Sequence, residues 1–114
     1  MKTEKIPPLH PGVVLYEEFL QPLKISQNQI ARDLGVSPRR INEIIHGKRS
    51  VTANTALRFS LYFGNSAQFW MGLQMDFDLD TAEDQFLDKL KVEVSHSRAE
   101  TIKTMIASGN VAVA

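Results

Sequence analysis

Arg39, Arg40, Asn42 and Glu43 fall within five consecutive positions, and Lys48 and Arg49 follow shortly after Gly47. These side chains are suited to hydrogen bonding rather than to bond breaking. An arginine fork matches the O6 and N7 acceptors of guanine, an asparagine amide matches adenine, and a carboxylate accepts from cytosine N4. Lysine and arginine also neutralise phosphate. No nucleophile–base pair, phosphate-cradling glycine loop or metal-ligand spacing is visible, so enzyme chemistry is not expected.

Such a set reads nothing unless a rigid element holds it. Residues 27–45 provide two short amphipathic helices separated by Gly35. In the first, Ile30, Ala31 and Leu34 share one face. Ala31 is small where a second helix must cross closely. Gly35 suits a residue with positive φ, and Val36 can plug the corner. Ser37 is a good N-cap, with Pro38 at the first helical position, where its missing N–H costs nothing. Ile41, Ile44 and Ile45 then form a buried stripe. At about 100° per residue, Arg39, Glu43 and His46 point away from it, with Arg40 and Asn42 on its flanks. This is the layout of a helix-turn-helix, whose second helix enters the major groove of DNA.

Each polar position acquires an expected role. Arg39 reads guanine. Arg40 meets phosphate or bridges to Glu43 one turn on. Glu43 accepts from cytosine or orients an arginine, and Asn42 reads adenine or sits against the backbone. Gln27 opens the first helix and can meet a phosphate at its N-terminus, as Ser37 can at the second, and Pro38 beside it is counted with the DNA-binding positions. Lys48 and Arg49 are placed for phosphate.

Around this motif the pattern is helical throughout. A helix runs from Pro11-Gly12 through Leu20 and ends at Gln21-Pro22. Ser26, Thr52 and Ser66 are N-caps of later helices, and Gly47 and Gly64 are stops. Asp76–Asp80 reads as an acidic break, followed by a helix over 81–94 and a weak one around Ile102, Met105 and Ile106. The expected fold is all-α: a five-helix DNA-binding domain over residues 9–79, preceded by an arm at 1–8. An acidic, partly flexible helical extension follows at 80–114. Phe69, Trp70 and Leu73 exceed what one short helix needs for a core, so part of this set is expected at an isologous dimer interface.

Composition narrows the class. The chain has 114 residues, 43% apolar content and zero net charge, fitting one domain with tails. The balance hides an asymmetry. Residues 1–75 hold 9 Lys/Arg against 5 Asp/Glu (+4), and residues 76–114 hold 4 against 8 (−4). A basic front half suits a phosphate backbone. The absence of cysteine argues against a disulfide scaffold, a thiolate zinc site or a cysteine nucleophile, and it fits a reducing cytosol. No membrane span or signal sequence is visible, so a cytoplasmic location is expected. His10, His46 and His96 are scattered. Asp76, Asp78 and Asp80 mimic the start of a calcium loop, but Thr81 stands at its glycine position and Leu87 at its closing glutamate. No metal or cofactor is expected.

Three stretches together resemble the HigA-type antitoxins, a group within the Xre (lambda-repressor-like) helix-turn-helix family. They are His10-Pro11-Gly12 with Glu17–Leu23, Ser26-Gln27 through Gly47–Thr52, and Phe69–Leu79. The resemblance implies a dimeric repressor that binds a palindromic operator in double-stranded DNA. It also implies a protein partner, a HigB-like mRNA-cleaving toxin that the antitoxin binds and neutralises. Pro38 and Arg39 depart from the glutamine-rich start of the best-known recognition helices, which leaves the DNA sequence open. The same residues admit two other readings: a solitary Xre-family regulator, or a protein-interaction module with weak DNA binding.

Overall fold

A computed structural model describes residues 8–110. The expected N-terminal arm lies, apart from Pro8, outside the described residues, as do residues 111–114. Among the described residues there are six helices and no strand.

The first helix, α1, joins three segments: α-helical Pro11–Val14, π-helical Leu15–Leu20 and α-helical Gln21–Leu23. His10 caps it, its Nδ1 accepting from Gly12 N at 2.9 Å. Leu15 and Leu20 are both buried. A spacing of five would place them apart on an α-helix, but the wider π turn aligns them. Gln21-Pro22 does not end α1 as expected. Pro22 would collide with the carbonyl four residues back in a regular helix, and the π turn just before it loosens that crowding. The stop is Lys24, at φ 58°, after which Ile25 N returns to Leu20 O at 2.9 Å.

Helices α2 (Gln27–Leu34) and α3 (Pro38–Ile45) form the helix-turn-helix. Ser26 and Ser37 accept from the backbone N–H three residues on, as their N-cap positions require. Gly35 turns the corner at φ 73°, with Val36 N bonded to Ala31 O. Thr52 caps α4 (Ala53–Phe63) and Ser66 caps α5, so all four expected hydroxyl caps are in place.

The fifth helix, α5 (Ala67–Glu93), corrects the helix count. Asp76–Asp80 is not a break: the expected fifth and sixth helices are one. No glycine or proline follows Gly72 within it, and the low helix propensity of aspartate is a weak signal that context overrides. Gln74 Nε2 bonds Asp78 Oδ1 one turn on, at 2.9 Å, inside the supposed break. Helix α6 (His96–Ala107) realises the weak C-terminal pattern.

The described chain divides at Thr81/Ala82 into two units. The first holds the core: Leu15, Leu20, Ile30, Ala31, Leu34, Ile41, Ile44, Val51, Ala56, Phe59 and Trp70. In the second, no described side chain is buried.

The tightest approach is at Gly12. A Cβ built there would stand 1.8 Å from the Ile44 carbonyl oxygen, a backbone atom of α3. Glycine-to-alanine within a helix ordinarily stabilises by about 0.5–1 kcal/mol. Here overpacking against backbone reverses the sign, and Gly12→Ala is expected to cost about 3 kcal/mol or more. Urea unfolding checks this, and equal or raised stability would refute the contact.

His10 gives a pH signature. It is buried, its ring edge-on to Phe77, and burial pushes its pKa below the usual 6.5, partly opposed by Asp78 and a backbone bond at Arg49. The unfolded chain therefore binds the proton more readily. Stability should be complete above pH 6.5 and decline as the pH falls below it. His10→Asn keeps a capping side chain without titrating, so denaturant midpoints between pH 7 and 5 should decline less steeply than in the wild type.

Candidate nucleic-acid interface

Helix α3 is anchored by Ile41 and Ile44, both fully buried, with Ile45 half-buried. That fixes the opposite face outward. The Arg39 side chain is 83% exposed on the first turn. Its Nε donates to Glu43 Oε2 at 2.9 Å. From the following loop, Arg49 Nε donates to Glu43 Oε1 at 2.8 Å, and Arg49 Nη2 lies 2.7 Å from the same oxygen as an ion pair. The hydrogen bond from Arg39, and then that from Arg49, holds the Glu43 carboxyl below the usual carboxylate range. The two arginines nearest the centre of this face thus share one carboxylate.

Of the two roles expected for Arg40, the bridge to Glu43 is absent, because Arg39 makes it. Arg40 is half-buried and lines a cleft of about 190 Å³ with Arg49, Ser50, Thr52, Asn54 and Thr55, beside the N-terminus of α4. Cations, hydroxyls and a helix N-terminus suit a phosphate.

Asn42 and Gln27 come together across the motif, Asn42 Nδ2 donating to Gln27 Oε1 at 3.1 Å. Asn42 keeps its Oδ1 and one amide hydrogen, the pair that adenine requires. Lys48 is exposed, and its backbone N–H bonds Glu43 O at 2.8 Å. The exposed polar side chains therefore form two bonded groups, Gln27 with Asn42 and Arg39 and Arg49 with Glu43, with Ser37 and Pro38 at the start of α3 and Lys48 in the loop after it.

Trp70 is corrected. It is fully buried in its own protomer, within 5.2 Å of the rings of Phe59, Phe69 and Phe19, with Nε1 donating to Asn65 Oδ1. It has no surface left for a partner. Leu73 packs half-buried against the same core, and Phe69 stays 41% exposed.

Supporting residues escaped the sequence reading. Gln74 is buried, and its Oε1 accepts from Val51 N at 2.7 Å, fastening the loop after α3 to α5. The signal was its place four residues after Trp70, on the buried face. Arg58 Nη1 donates to Leu34 O at 2.7 Å, closing the end of α2, while its Nε holds Asn54. Tyr62 donates to Asp33 at 2.6 Å, which raises the phenol's pKa.

The chain is similar to known proteins over most of its length. A helix-turn-helix family model matches residues 17–70. Virulence-associated protein I of Dichelobacter nodosus is 48% identical over 79 residues, covering 69% of this chain and 73% of that protein. The Pseudomonas aeruginosa antitoxin HigA, solved with the higBA promoter, is 39% identical at a TM-score of 0.76. That match covers 78% of this chain and 97% of the other. An addiction-module antidote protein of the HigA family from Coxiella burnetii is 39% identical at a TM-score of 0.75, over 79% and 98% of the two chains. The chain belongs to the Xre-type helix-turn-helix family, in its HigA antitoxin group.

Proposed function

We propose that this chain is a sequence-specific DNA-binding repressor that also binds and neutralises a toxin protein. The observation that carries the DNA reading is Arg39, held outward on the first turn of a helix whose opposite face is buried. Helix α3 enters the major groove, where Arg39 reads guanine and Asn42 lies over a neighbouring base. Arg40, Lys48 and Arg49 meet phosphates on either side, with Gln27, Ser37 and Pro38 at the helix starts. The solved relative that holds the higBA promoter supports this mode.

Two copies are needed to read a palindrome, with their recognition helices about 34 Å apart. Phe69 and Leu73 remain as contributors to the contact between copies. Trp70 does not. The toxin reading rests on family membership, and the partner expected is a HigB-like mRNA-cleaving protein. Among the described residues, no helix is long and apolar enough to cross a membrane.

Binding to a duplex selected by the wild-type protein from a randomised pool tests the DNA role. Arg39→Ala should lose about 1–3 kcal/mol of discrimination at one base pair. Lys48→Ala should weaken all sequences alike and reduce the salt slope by about 1. If no sequence is enriched, or if Arg39→Ala discriminates like the wild type, the repressor reading fails.

Co-expression with the protein encoded by the adjacent reading frame tests the second role. Relief of growth arrest and co-elution of the two chains are expected. If neither occurs, the chain is a solitary regulator.

A further inference from the structure

We infer that Glu43 is a positioning residue that aims Arg39 and Arg49 at DNA rather than a reader of bases itself. The inference rests on the DNA-reading role proposed above and adds what sets its selectivity.

The geometry leaves Glu43 little capacity to read. Oε1 already accepts Arg49 Nε and is ion-paired with its Nη2 at 2.7 Å, and Oε2 accepts Arg39 Nε. The side chain is 22% exposed, against 83% for Arg39. A cytosine amino group would have to approach a carboxylate screened by the arginines it holds. Arg39 is in the opposite position. With Nε occupied, its two Nη groups still form an end-on fork, which is one of the ways arginine meets O6 and N7 of guanine.

Helix stability does not explain the arrangement. Arginines on the first turn oppose the helix macrodipole, and no acidic residue stands on that turn. An arginine four residues before a glutamate is also the weaker order for such a pair. Exposed pairs of this kind contribute little to folding. What the carboxylate does accomplish is geometric: it joins the first turn of α3 to the loop after its end. Both side chains are thereby ordered before any ligand arrives. Arg39 so held either finds a guanine or leaves its outer fork without an acceptor, and Arg49 is set toward one phosphate, whereas free arginines swing to the nearest phosphate on any sequence.

The test compares wild type, Glu43→Ala, Arg39→Ala and the double variant. Each is titrated with the pool-selected duplex and with a scrambled duplex of equal length, across a salt series, with thermal midpoints measured alongside. The expected result for Glu43→Ala is a fall of about tenfold in the ratio of selected to scrambled affinity. Its midpoint should not change, and its affinity for the scrambled duplex should be equal or higher. In the Arg39→Ala background the same change should move the ratio less than about twofold, because the two residues act as one unit. An equal loss in both backgrounds would overturn the positioning role and make Glu43 a reader in its own right. An unchanged ratio in Glu43→Ala would also overturn it. Should Arg39→Ala alone leave the ratio unchanged, the DNA-reading role of Arg39 falls, and this one falls with it.

Discussion

The contact between Gly12 and the Ile44 carbonyl sets the geometry on which everything else depends. It lets the start of α1 rest directly on the end of α3, backbone against backbone, with no room for a side chain. Because the N-terminus of α3 carries the proposed reading face, fixing its C-terminal end fixes the direction in which that face points. His10 extends the same junction. It caps α1 two residues before Gly12, lies near Gly47 in the loop after α3, and meets Phe77 of α5 edge-on. Three elements therefore converge where the recognition helix ends.

Apolar burial and polar bonding divide the labour. Ile41, Ile44, Val51 and Trp70 are buried and supply the driving force that holds α3 against the domain. The polar bonds on the outer face contribute little to stability, because exposed ion pairs are nearly neutral in water. Their value is order. Buried Gln74 belongs to both groups, since it satisfies Val51 N inside the domain and so keeps the loop bearing Arg49 in place. Loss of that acceptor would strand a buried N–H, which costs about 1–3 kcal/mol.

Local signals made most of the fold legible in the sequence. Ser26, Ser37, Thr52 and Ser66 each marked a helix start because capping is a contact within four residues. Gly35, Gly47 and Gly64 marked stops because only a positive φ is at issue. What was not legible depended on distant neighbours. Nothing local distinguishes a tryptophan that fills its own core from one that meets a partner, so Trp70 required the three-dimensional packing. Asp76, Asp78 and Asp80 suggested a break, yet aspartate propensity yields to the continuity of α5. The bond between Gln27 and Asn42 spans fifteen positions and has no periodic signature. Arg39 rather than Arg40 holds Glu43 because their i,i+4 spacing stacks them, a choice that a helical wheel could have made.

Charge shows why local arrangement must carry the interaction. Between residues 1 and 81 there are nine Lys/Arg (2, 5, 24, 32, 39, 40, 48, 49, 58) and eight Asp/Glu (4, 17, 18, 33, 43, 76, 78, 80), so this unit is close to neutral at +1. A nearly neutral body exerts no strong long-range pull on DNA, and salt confines such fields to about 8 Å under physiological conditions. Only the segment from Ser37 to Thr52 is markedly basic, with Arg39, Arg40, Lys48 and Arg49 against Glu43 alone. Non-specific attraction is therefore weak from the outset, and the ion pairs at Glu43 lower it further on the face proposed to meet the groove. A surface of this kind gains affinity chiefly where its fixed donors find matching acceptors, so sequence selectivity does not have to overcome a large indiscriminate background.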